Sequence, residues 1–155
     1  MQLRGTAIVV DTIAAKQPVI SGSGATRTLN ELESGSLVLF DRAAGIVYTL
    51  PSAKPGLTFD FVVTTTITSN NAKVITAAGT ELLIGDVVSV DTDTSNAVAN
   101  FTANGSTHIA ITQNGTTTGG IKGTHFRLKC LSSTLWVVDG VVQGSGVVAT
   151  PFATS

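Results

Sequence analysis

Charge is scarce in this chain. Asp, Glu, Lys and Arg make up only 12% of its 155 residues, about half the usual share for a globular protein. The nine Lys and Arg are scattered singly against ten acids, for a net charge of −1, so no basic stripe of the kind that phosphate neutralisation demands can be assembled, and direct nucleic-acid binding is not expected. Cysteine is nearly absent too. Cys130 is the only one, which excludes an internal disulfide and with it a small disulfide-stapled secreted scaffold. Within Phe126-Arg-Leu-Lys-Cys-Leu it alternates with charged positions, which suits a buried, inert thiol better than a nucleophile. Aromatics are 5% of the chain, namely Trp136, Tyr48 and six Phe, too few for a stacking platform or a sugar-binding cleft. Trp136, in Leu135-Trp-Val-Val-Asp-Gly, reads as core or interface packing.

Long hydrophobic runs are missing as well. Mean hydropathy is +0.37, yet no apolar run reaches the roughly 18 residues a membrane-spanning helix needs. In the opening stretch MQLRGTAIVVDTIAAKQPV the apolar core is cut by Asp11 and no small-x-small cleavage site follows, so it is read as mature and made in a cytoplasm. The sequons at Asn100, Asn104 and Asn114 are then turn residues, because glycosylation requires the secretory route.

What the chain has is alternation. Leu57, Phe59, Phe61 and Val63 fall on one side of LTFDFVVTTTITS and Thr58, Asp60, Val62 and Thr64 on the other, the period of a strand with one buried face. Thr- and Val-rich segments also disfavour helix, since β-branched side chains lose χ1 freedom there and pack well on a pleated surface. Strands are expected near 5–11, 36–41, 45–50, 57–68, 72–77, 86–91, 97–103, 106–112, 124–131 and 134–142, with a helical turn at 29–33. Turn signals separate them, among them Gly85-Asp86, Asn104-Gly105, Asn114-Gly115, Ser132-Ser133 and Asp139-Gly140. The two Asn-Gly pairs are assigned as type I′ hairpin turns.

These signals predict an all-β protein: one β-sandwich or barrel-like domain of about eight to ten short antiparallel strands. The domain is placed at 34–144, preceded by an extended N-terminal arm or linker at 1–33 and followed by a short C-terminal tail at 145–155, which is Gly-rich and broken by Pro151. The segment 36–51, SLVLFDRAAGIVYTLP, reads as a hairpin whose strands are apolar on both faces, so that each face needs cover from the core, a second layer or a neighbouring subunit.

No constellation of reactive groups emerges, and the chain is not expected to be an enzyme, to bind a metal or to carry a cofactor. Asp91, Asp93, Ser95 and Asn96 alternate like the start of a calcium loop, but the Gly and bidentate Glu that such a loop requires are replaced by Asn96 and Thr102. The glycines from Gly115 to Gly123 resemble a phosphate loop, yet Lys122 is displaced, no Ser or Thr follows it and no helix pattern comes next. His108 and His125 sit within expected strands without a metal ligand at suitable spacing. Glu31 and Glu33 fall in the arm and Glu81 stands alone, so no acid pair of the glycosidase kind is supported, nor is there a nucleophile elbow. Asp41-Arg42 is read as structural.

One segment has a familiar look. SGSLVLFDRAAGIVYTLPSAKPGLTFDFVVTTTITS resembles a pattern found in small β-rich virion proteins encoded among the head genes of tailed bacteriophages. The later Asn114-Gly-Thr-Thr-Thr-Gly-Gly-Ile-Lys-Gly, the Leu135-Trp-Val-Val-Asp-Gly strand and the terminal Gly-Ser-Gly-Val-Val-Ala-Thr-Pro-Phe are also similar, so the likeness spans about 34–152. It implies a capsid decoration, or cement, protein that trimerises and binds the major capsid protein on the outer surface of the virion, with no catalytic residues to carry over. Contacts with the shell are then expected from the arm (1–25), the 41–45 tip and the 144–155 tail. Two other readings stay open: a tail or head-fibre domain that binds a host receptor, and a carbohydrate-binding β-sandwich.

Overall fold

The computed structural model describes residues 16–22, 24–94 and 97–155; the expected strand at 5–11 and most of the arm lie outside these. The alternation read from the sequence becomes an alternation of burial. In β5 (Thr58–Val63), Phe59, Phe61 and Val63 are fully buried while Thr58, Asp60 and Val62 are half-buried. The same pattern runs through β7 (Leu82–Asp91), β10 (His125–Ser132) and β11 (Leu135–Gly144).

Shorter strands complete two mixed sheets. They are β1 (Val19–Ile20), β2 (Thr26–Thr28), β3 (Leu37–Phe40), β4 (Val47–Thr49), β6 (Ala72–Ile75), β8 (Val98–Asn104), β9 (Ala110–Gln113) and β12 (Phe152–Ala153). A seven-stranded sheet has the order β1-β3-β5-β10-β11-β7-β8, and a five-stranded sheet the order β12-β9-β6-β4-β2. Their facing sides share one core that includes Phe40, Tyr48, Phe59, Phe61, Leu128 and Trp136, giving a sandwich-like fold.

Several expectations need correction. The strands are not all antiparallel: β1-β3, β3-β5, β2-β4, β4-β6 and β7-β11 pair in parallel. Residues 36–51 do not form a hairpin either. Strand β3 lies in the seven-stranded sheet and β4 in the five-stranded one, and Asp41 to Gly45 carries the chain across. Alternation in a four-residue strand reports which face is buried, not which strand is the neighbour. Each strand turns one face to the common core, and the two are joined directly: the Tyr48 hydroxyl donates to the Leu39 carbonyl at 2.7 Å.

Neither Asn-Gly pair makes a type I′ hairpin. Among the described residues Asn70 is the only non-glycine at positive φ, whereas that turn needs both central residues there. Instead Asn104 Oδ1 accepts from the N–H groups of Ser106, Thr107 and His108, and Asn114 Oδ1 accepts from those of Thr116 and Thr118. These are Asx-type loops between the sheets. Gly85 and Gly140 are not turns but strand interiors. A side chain on Gly85 (φ 100) would meet the Val138 carbonyl at 2.1 Å, and one on Gly140 would meet Phe126 Cα at 2.5 Å, so both mark close backbone approach.

The described part of the expected arm is tied into the domain. Strands β1 and β2 sit at sheet edges, Ile20 and Leu29 are buried, and the expected turn at 29–33 is a 3-10 turn (Glu31–Glu33) closed by an Asn30 capping box. In the tail, β12 pairs with β9 and buries Phe152.

Candidate interaction face

The seven-stranded sheet has a second face, away from the core, and the registers place its side chains in rows. One row across the strands runs Val19, Leu37, Asp60, Arg127, Asp139, Asp86, Thr102. The row on one side of it is Leu39, Val62, His125, Val141, Val88, Asn100. On the other side it is Thr58, Lys129, Val137, Ile84, Asn104. A polar ladder thus crosses a field of aliphatic side chains. Val19, Val88, Val98 and Leu131 are exposed, although burial is what such side chains gain most from. Every described strand belongs to one of the two sheets, so no third layer of described strands covers this face.

The outer face of the five-stranded sheet is different. Its rows hold Thr26, Val47, Lys73 and Thr112, and Thr28, Thr49, Ile75 and Ala110. Threonine fills four of these eight positions, and the exposed large aliphatics that lie on strands, Val19, Val88, Val98 and Leu131, all belong to the seven-stranded sheet.

Within the polar ladder the charges are not balanced. Arg127 grips Asp60 with both arms of its guanidinium, through Nε to Oδ1 and through NH2 to Oδ2 at 3.2 Å, and the Gln17 side-chain amide donates to the same carboxylate at 2.6 Å. Arg127 holds the Asp60 carboxyl below the usual carboxylate range, with burial opposing and Gln17 assisting. Two shallow grooves, each of about 450 and 440 Å³, flank this ion pair; one is lined by Gln17, Leu37, Val62 and His125 and the other by Leu57, Lys129 and Leu131. Farther along the ladder Asp139 and Asp86 are register neighbours on parallel strands. Asp86 accepts from the Thr102 hydroxyl and the Asn100 amide.

The chemistry-bearing residues noted in the sequence are dispersed. Asp91 is buried and accepts from the Asp93 N–H, a bond within the β7-β8 connection, while Asp93 accepts from the Gly146 N–H and so ties that connection to the chain after β11; Ser95 and Asn96 lie outside the described residues. Among the described residues no group of three His, Cys, Asp or Glu could hold a metal ion, and no helix is long and apolar enough to cross a membrane. His108 stacks on Phe152 with ring centres 5.6 Å apart, and His125 faces outward beside the Gly123 carbonyl. The Gly115 to Gly123 stretch turns tightly, with a bridge from Thr116 to Gly119. Burial pushes the Cys130 thiol upward, and its Sγ–H donates to the Ser132 carbonyl. Glu81 is a buried anchor that accepts from the Ala53 N–H at 2.9 Å and from the Trp136 indole at 3.4 Å. Glu31 pairs with Lys54 and Glu33 with Arg27.

Of the segments expected to touch a partner, 1–15 lies outside the described residues. The 41–45 tip is fastened, since Asp41 accepts from the Gly22 N–H and the Ala43 carbonyl accepts from Thr68. The tail leaves Val147 exposed ahead of its docked strand. Sequence reasoning missed the ladder because Asp86 and Asp139 sit beside Gly and imitate turns, and because register is invisible without the paired strands. Comparison with protein-family models, with curated proteins and with solved structures finds no match to this chain.

Proposed function

We propose that this chain is a structural virion protein that decorates the outside of a tailed-phage capsid, bridging subunits of the major capsid protein and acting as a homotrimer. The observation that carries the reading is the outer face of the seven-stranded sheet, broad, aliphatic and crossed by one charged ladder. A surface of that kind fits association with protein better than capture of a small molecule, because its grooves are shallow and its reactive groups few. The resemblance of residues 34–152 to decoration proteins supplies the identity of the partner.

The mechanism is linkage. A subunit that binds the assembled, expanded lattice better than free capsomers shifts the equilibrium toward that lattice by its differential affinity. Repeating the contact through each arm of an oligomer converts modest affinity into avidity. The test is the number of copies in purified particles of the encoding phage, measured by quantitative mass spectrometry. A lattice site repeated over the shell requires on the order of hundreds of copies. About a dozen or fewer, as at a single vertex or tail tip, would point to a fibre, and absence from the particle would refute both.

A further inference from the structure

The ladder on the outer face poses a problem of charge. Arg127 grips Asp60 and also lies opposite Asp139 in the row, while Asp139 and Asp86 are adjacent across parallel strands, about 4.8 Å apart at the backbone, where like charges disfavour one another. On one side of this pair stand Val141 and Val88, and on the other Val137 and Ile84. Two carboxylates at the centre of four β-branched aliphatics cost little in water. Under an apolar cover they would be desolvated with no more than a share of the guanidinium that Asp60 already grips.

We propose that this face is the docking surface for a protein partner that presents an arginine or lysine within an aliphatic patch, the cation seating over Asp86 and Asp139 while Val88, Val141, Val137 and Ile84 bury against the surrounding side chains. Charge complementarity selects this occupant over a second copy meeting face to face. The outward charges of the three central rows are Asp60, Asp86 and Asp139 against Arg127 and Lys129, one negative charge in excess, so a second copy brings no surplus of cations to the acid pair. Size is adequate as well. Seven strands of two to ten residues, at about 3.3 Å per residue and about 4.8 Å spacing, give a footprint on the order of 700 Å², close to the approximately 800 Å² that one partner contributes to a standard specific interface.

The inference rests on the proposed function, in which the partner is the shell. Its test is co-sedimentation of the full chain with shells of the encoding phage prepared without it. Asp86→Asn with Asp139→Asn keeps shape and removes charge, and should weaken binding about tenfold or more and flatten its salt dependence. Val88→Glu should weaken it by about a hundredfold or more, since it buries another acid. Thr26→Glu, on the outer face of the opposite sheet, should leave binding unchanged. Matching circular dichroism and melting curves establish that the variants fold. Wild-type sedimentation with equal binding by the first two variants overturns the docking face and leaves the decoration reading standing. Wild-type protein that sediments with no shell refutes the decoration reading itself, and this inference with it. Concentration-dependent self-association lost in Val88→Glu would identify a second copy as the occupant and also overturn the proposal.

Discussion

Tyr48 is the single tyrosine of the chain, which makes one buried hydroxyl directly measurable. It is fully buried in β4, its ring meets Phe40 edge-on at 5.2 Å, and its hydroxyl donates to the Leu39 carbonyl of the opposite sheet. Burial, reinforced by the nearby Asp41 carboxylate and opposed by Arg27, pushes its pKa from 10.0 to about 12. Tyr48→Phe keeps the ring and deletes the bond, leaving a part-buried carbonyl without this donor at a cost of about 1–2 kcal/mol. For a chain of this length that lowers Tm by about 2–8 °C. Because the folded pKa lies above the unfolded one, the tyrosine's contribution is fully present below pH 10 and is lost as pH rises through about 12. At about 1.36 kcal/mol per unit, the advantage of wild type over Tyr48→Phe should therefore vanish near about pH 11 and then reverse. Chemical denaturation of both proteins from neutral to alkaline pH measures the difference, with charges common to both cancelling, while tyrosinate absorbance reports the native titration. A native tyrosinate forming at the ordinary value, or a stability difference that does not change with pH, would refute the reasoning.

Two further outcomes are expected. Gln113 is buried, and neither its amide nitrogen nor its amide oxygen has a hydrogen-bond partner among the described residues; Gln113→Leu should therefore raise stability by about 1 kcal/mol, and a fall in Tm would mean that the amide is well bonded in solution. Asp60, held low by Arg127, contributes above the unfolded carboxylate value of about 3.9 and loses that contribution as pH falls through its lower native value; urea titrations should show wild type ahead of Asp60→Asn by about 0.5–1 kcal/mol at neutral pH and level with it in strong acid.

The buried face of each long strand was legible in the sequence because a pleated chain has a period of two and the core is apolar: Phe59, Phe61, Leu128 and Val138 lie where alternation puts them. Strand partners were not legible. The pairing of Leu37 with Asp60, or of Leu82 with Leu135, joins segments remote in sequence, and nothing local distinguishes parallel from antiparallel neighbours. Glycine misled twice, since Gly85 and Gly140 are required by the close passage of another backbone rather than by a bend. The short strands β1, β2 and β12 were hidden by Pro, Gly and Ser around them; edge positions tolerate such residues because only one side of the strand is paired. The interaction face was the least visible feature, since it exists only as a register of seven strands, and the carboxylates that cross it look ordinary one at a time.

The winding of the first six strands sets a timetable for synthesis. Strands β1, β3 and β5 alternate along the chain with β2, β4 and β6, each laid beside the one two elements earlier, so this half can coil up as it leaves the ribosome. The second half closes differently: β5 waits for β10, and β7 waits for β11. Until residue 132 has emerged β5 has an unfilled edge, and until residue 144 so does β7. A fragment ending before residue 125 therefore leaves both strands with a bare edge, and one ending before residue 135 still leaves β7 without its parallel partner.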